Sequence, residues 1–126
     1  MASLFSLQGT YTAAPSSGSP SADPLITAPI NEGMTLANEV VSQMTLSTDG
    51  PIALPFCGLD AVNLLVFKCV GGKITVRLTS ADGSAQAFPV DSFLVLTSAS
   101  TDITAIELER NPATTTVVRY FLGQKA

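Results

Sequence analysis

From Met34 to the end of the chain, apolar and polar residues alternate with a period of two, interrupted about every ten residues by turn signals. That period places successive side chains on opposite faces of an extended backbone, the pattern of a β-strand. It predicts strands at 34–46, 51–56, 61–70, 73–80, 85–96, 102–110 and 114–122. The punctuation between them is Asp49-Gly50-Pro51, Gly71-Gly72, Asp82-Gly83, Ser98 to Thr101 and Asn111-Pro112. Gly71-Gly72, between two strand-like runs, predicts a two-residue hairpin, because primed turns need positive φ. In 73–80 the alternation is clean: Ile74, Val76 and Leu78 face inward, and Thr75, Arg77 and Thr79 outward. Residues 61–70 and the run Phe93-Leu94-Val95-Leu96 are apolar on both faces and need cover on two sides. Leu36, Val40, Val41 and Met44 also fit a helix over 34–46, but the Thr/Val character of the run favours a strand. Short strands at this spacing predict an all-β fold, a small β-sandwich or jelly roll.

Before residue 33 the pattern changes. Thr10 to Pro29 contains Pro15, Pro20, Pro24 and Pro29 together with Ser16, Ser17, Ser19 and Ser21. Such a stretch cannot build a core of its own. The expected organisation is an extended Pro/Ser-rich N-terminal arm over 1–32, followed by a sandwich domain over 33–126. Free in solution the arm reads as a disordered tail. Ordering it costs roughly 1–2 kcal/mol per residue in backbone entropy, so it is fixed only where something holds it. Leu4, Phe5 and Leu7 at its tip, then Leu25, Ile26 and Ile30, are the expected anchors on a neighbouring subunit.

Composition bears on the surface. The chain's 126 residues are enough for one domain, and 46% are hydrophobic while 13% are charged. A typical domain carries about a quarter charged residues, so much of this surface is neutral or apolar, which suits packing against neighbours. The six basic and ten acidic residues give a net charge of −4. Lys68, Lys73, Arg77, Arg110, Arg119 and Lys125 form no run, so no nucleic-acid partner is expected. No apolar stretch is long enough to span a membrane as a helix. Met1 to Leu7 has no basic residue ahead of its short apolar segment, so no Sec signal peptide is expected. Cys57 and Cys69 could form one disulfide; free thiols packed as small hydrophobes are the preferred reading, because both lie in apolar runs.

The chemistry the chain lacks narrows its function. With no histidine, Ser-His-Asp and Cys-His nucleophile systems are excluded, as are His-based metal sites, and two cysteines cannot form a four-thiolate centre. Neither GxGxxG nor GxxxxGK[ST] is present. Glu107 and Glu109 share one strand face, an ordinary solvated pair more readily than a catalytic one. Asp49, Asp82 and Asp60 lie in turn contexts, where the side chain caps its own backbone, and show no calcium-loop spacing. Sugar binding in small β-sandwiches usually relies on exposed aromatics. Here there is no tryptophan; Tyr11 lies in the arm, and Tyr120 alternates with Val118 and Leu122 as a core residue would. No catalytic residue, metal or cofactor is expected.

Gly72-Lys-Ile-Thr-Val-Arg-Leu-Thr-Ser-Ala-Asp-Gly83, then Gln86-Ala-Phe-Pro-Val90, Ile103-Thr-Ala-Ile106 and the closing Thr114-Thr-Thr-Val-Val-Arg-Tyr-Phe-Leu-Gly123, resemble the small structural proteins of tailed bacteriophages. The resemblance covers roughly residues 60–123 and is one of style rather than of a single motif. Within that group it is most similar to capsid decoration, or cement, proteins. It implies a jelly-roll-like domain with an arm, and no enzyme. It also implies a homo-oligomer, with a trimer favoured, bound to the major capsid protein or other virion subunits. The location it implies is the virion, assembled in the host cytoplasm. A neck, tail or fibre-attachment component, or a carbohydrate-binding module used in host attachment, is the alternative. The physical reading agrees: weak contacts act together once tethered, and an arm can add a strand to a neighbour's sheet edge.

Overall fold

The computed structural model describes residues 3–13, 26–98 and 100–126, with side chains placed at 4–8, 33–98 and 100–126. The described chain is all-β: β1 (Ser3–Ala13), β2 (Ile26–Leu46), β3 (Ile52–Ala53), β4 (Leu64–Val70), β5 (Ile74–Ser80), β6 (Ala85–Val90), β7 (Phe93–Thr97), β8 (Ile103–Arg110) and β9 (Thr116–Lys125). Two compact units divide it, Leu4–Thr35 and a larger unit holding Leu36–Ala126.

The larger unit is a β-sandwich. One sheet runs β2-β9-β4-β7 and the other β3-β8-β5-β6. Both orders follow from one nested antiparallel ribbon, in which β5 pairs with β6, β4 with β7, β3 with β8 and β2 with β9. Successive pairs fall in alternate sheets, and rolling up the ribbon adds the β4–β9 and β5–β8 ladders. Two four-stranded sheets wrapped in this way form a jelly roll. Its core is built by strand parity. Leu65, Phe67 and Cys69 of β4, Ile74, Val76 and Leu78 of β5, Ile106 and Leu108 of β8, and Val118, Tyr120 and Leu122 of β9 all point inward and are buried. The Tyr120 ring meets Phe67 edge-on, with centroids 6.3 Å apart.

The wrapping corrects several sequence expectations. Gly71-Gly72 joins β4 in one sheet to β5 in the other, so it is a corner and not a two-residue hairpin. Gly71 does have positive φ, 102°, but the pair is glycine for a second reason. A Cβ on Gly71 would lie 2.9 Å from the Thr115 carbonyl oxygen, and one on Gly72 2.7 Å from Thr114 Cγ2. The corner passes against the β8–β9 connection, and side chains would separate them. The tight hairpin is β5–β6, over Asp82-Gly83, with Gly83 at φ 86°.

The single run expected at 85–96 is two strands, because Asp91-Ser92 carries the chain from β6 in one sheet to β7 in the other. The strand expected at 51–56 shrinks to Ile52–Ala53, bracketed by Pro51 and Pro55, neither of which can donate to a ladder. The 34–46 segment is strand throughout, part of β2. Both cysteines are free thiols; Cys69 is buried as expected, whereas Cys57 is exposed in a turn at φ 53°. Asp82 caps its own turn through Ser84, but Asp49 does not. Its carboxylate accepts from Ala113 N at 3.0 Å and Arg110 Nε at 2.9 Å, bridging to the β8–β9 connection.

In the Leu4–Thr35 unit, β1 lies beside β2. The Phe5 carbonyl oxygen is 3.4 Å from where a Cβ on Gly33 would stand. Alternation along β1 splits the expected anchors: Leu4 is exposed, while Phe5 and Leu7, on the opposite face, are half-buried. Leu25 lies outside the described residues. Ile26, Ile30 and Tyr11 are placed in strands by their backbone, with their side chains outside the described set.

Candidate functional site: an apolar sheet face

The outer faces of the two sheets differ. On β3-β8-β5-β6 the outward residues are small or polar: Ala53, Thr75, Thr79, Ala85, Ala87 and Ala105, with Arg77, Glu107 and Glu109 among them. Arg77 Nη1 binds Glu109 Oε1 at 2.8 Å, so one of the two candidate carboxylates already has a cationic partner. This is an ordinary solvated surface.

The outer face of β2-β9-β4-β7 is different. Residues directly opposite in an antiparallel ladder share a face, and the registers align them in rows across all four strands. One row reads Val41–Phe121–Val66–Val95, and it is apolar from end to end. The next reads Gln43–Arg119–Lys68–Phe93, followed by Thr45–Val117–Val70. Four large hydrophobic side chains are strongly exposed among the described residues. Three of them, Val41 (73%), Phe93 (68%) and Val70 (54%), stand on this face. Val41, Val66 and Phe121 line a shallow depression there, with Lys68 and Arg119 on its margin.

Lys68 and Arg119 are directly opposite each other. Like charges in that position destabilise a ladder, and neither makes an ion pair among the described residues. A neighbour presenting carboxylates would relieve the repulsion. The face therefore pairs apolar surface, which gains by leaving water, with two cations that gain from an acidic partner.

Beside this face, Leu36 and Leu64 are fully buried yet stand apart from the main core. Leu36 Cδ2 lies 2.8 Å from where a Cβ on Gly123 would be, so the glycine opens the seat for the leucine. Gly123 in turn lies opposite Leu64.

One end of the sandwich is tied by a residue that sequence reasoning passed over. Asn63 is 1% exposed. Its Nδ2 donates to the Ser98 carbonyl at 3.0 Å and to Asp102 Oδ1 at 2.8 Å, and its Oδ1 accepts from Lys125 N at 3.0 Å. The signal was present as the one polar residue in the run Ala61-Val-Asn-Leu-Leu-Val-Phe67. At the other end, Asp49 is held below the usual carboxylate range, chiefly by the Ala113 N–H and then by Arg110. Asp82 is lowered by the Ser84 hydroxyl and N–H. Burial pushes the Cys69 thiol up. These shifts belong to turns and packing. Among the described residues no three Cys, Asp or Glu side chains gather into a metal-ligand set.

No protein-family model matches the sequence, and no curated protein matches it.

Proposed function

We propose that this protein is a structural subunit that binds other protein subunits through the outer face of its β2-β9-β4-β7 sheet, and that it serves as an oligomeric capsid decoration protein. The observation that carries the binding role is the four-strand apolar row, with Val41 exposed at its end and Val70 and Phe93 exposed on the same face. The largest apolar patch on a protein surface is often a functional contact, and an apolar row crossing every strand of an outer face is the natural candidate here.

Size argues for the kind of partner. Four strands about 4.8 Å apart, seven residues long at about 3.4 Å each, span roughly 450 Å² in projection. A stable interface buries about 800 Å² on each partner. One face alone thus makes a weak contact, suited to a lattice in which many copies act together. The virion setting is supported by the likeness of residues 60–123 to small tailed-phage proteins, and jelly rolls recur among viral capsid and lectin domains. In this reading the major capsid protein, or another virion subunit, supplies the acidic and apolar counterface.

Val41→Asp with Val70→Asp tests the reading, since both side chains are exposed and neither supports the core. Co-sedimentation with capsids lacking the chain should weaken about tenfold, ~1.4 kcal/mol, while the isolated variant still unfolds cooperatively as a β-rich domain. Undiminished binding by the double variant would move the docking surface elsewhere.

A further inference from the structure

Among the described residues β7 is the outermost strand of its sheet and is hydrogen-bonded to β4 alone. In an antiparallel ladder, alternate residues direct both N–H and C=O toward the same neighbour. Ser98 N donates to Asn63 O at one end of the β4–β7 pair, and Cys69 N donates to Ser92 O at the other. With the register Leu65↔Leu96 and Phe67↔Leu94, this parity turns the main chain of Leu94 and Leu96 toward β4. Phe93, Val95 and Thr97 point their N–H and C=O groups outward. Among the described residues nothing bonds those groups.

Proteins usually blunt such an edge with charge, proline, a bulge or short length. The edges of the other sheet show this: β3 is two residues between prolines, and β6 carries Pro89. β7, Phe-Leu-Val-Leu-Thr, has neither proline nor charge, and its register with β4 is unbroken. It is an open template for a strand.

We propose that two copies of this chain pair through β7, antiparallel about a twofold axis at Val95, into one continuous sheet. The parity is self-consistent. Val95 faces Val95 of the second copy and Phe93 faces Thr97, so residues with outward main-chain groups oppose one another and each pair exchanges both bonds. A large ring lies against a small side chain, and no charge opposes a like charge. Edge pairing leaves the outer faces of the two copies free and joins their apolar rows end to end at Val95. The face of roughly 450 Å² in projection doubles to about 900 Å², a larger platform for one partner. That last argument rests on the docking role proposed above; the edge pairing itself does not.

The test uses the isolated full-length chain with no capsid or other partner present. Sedimentation equilibrium should give a dimer at micromolar concentrations. Amide exchange by NMR should show Leu94 and Leu96 protected at all concentrations, and Phe93, Val95 and Thr97 protected only as the dimer forms. Thr97→Pro removes an outward N–H without touching the β4 ladder, and the preceding Leu96 is already extended as proline requires. It should raise the dimer dissociation constant at least tenfold. A monomer at every concentration, an odd-numbered oligomer, or a dimer in which the amides of 93, 95 and 97 still exchange freely would overturn the proposal. Loss of capsid binding by the face variants with the dimer intact would separate the two readings, as would the reverse.

Discussion

Asn63 shows how one residue can hold three connections. It is buried with both ends of its amide engaged, so its bonds tie the end of β9 to the β7–β8 connection. Removing it would leave a backbone N–H, a carbonyl and a carboxylate oxygen, all part-buried, short of a partner. Asn63→Ala should lower the unfolding free energy by about 2–4 kcal/mol, read as a shift of the urea midpoint. A loss below about 0.5 kcal/mol would mean that water replaces the amide. Asn63 was legible only as an interruption of an apolar run, because the sequence does not say which loops will converge on it. Asp49 carries the same lesson. Its turn was readable from Asp49-Gly50-Pro51, but its partners, Arg110 and Ala113, lie more than sixty positions away. The expected anchors of the arm also divide at this scale: β1 puts Leu4 on one face and Phe5 with Leu7 on the other.

At the level of elements, periodicity located the strands well and their partners poorly. The facing of β5 was readable, since Ile74, Val76 and Leu78 are inward as the alternation predicts. Sheet membership was not, because a Gly-Gly pair, of which Gly71 alone has positive φ, serves a hairpin and a corner equally. The corner makes its own prediction. Gly71 and Gly83 both have positive φ, so alanine at either position costs about 1–2 kcal/mol of backbone strain. At Gly83 nothing lies within 4 Å of the new Cβ, whereas at Gly71 the Thr115 carbonyl is 2.9 Å away. Gly71→Ala should therefore destabilise the fold more than Gly83→Ala, by at least about 1 kcal/mol in chemical unfolding. Equal effects would show that the β4–β5 and β8–β9 corners give way easily. The split of 85–96 has a similar cause. Asp91-Ser92 is a weak turn signal, and a change of sheet within an apolar stretch needs nothing stronger when both halves remain strands.

For the whole molecule, the two outer faces carry the functional argument. Apolarity on both sides of 61–70 was visible in the sequence and called for cover on two sides. The structure places the core on one side of β4 and, on the other, buried Leu64, half-buried Val66 and the exposed Lys68 and Val70. The cover for that second side is what the proposed function supplies. The central claim is that the outer face of β2-β9-β4-β7 is where this chain meets its assembly. The most direct measurement is a cryo-EM reconstruction of the particle that co-purifies with a tagged copy of the chain. The account predicts density from a neighbouring subunit packed over Val41, Val66, Val70 and Phe121, with carboxylates near Lys68 and Arg119. A reconstruction in which this face looks into solvent, while another surface holds the subunit to the particle, would contradict it.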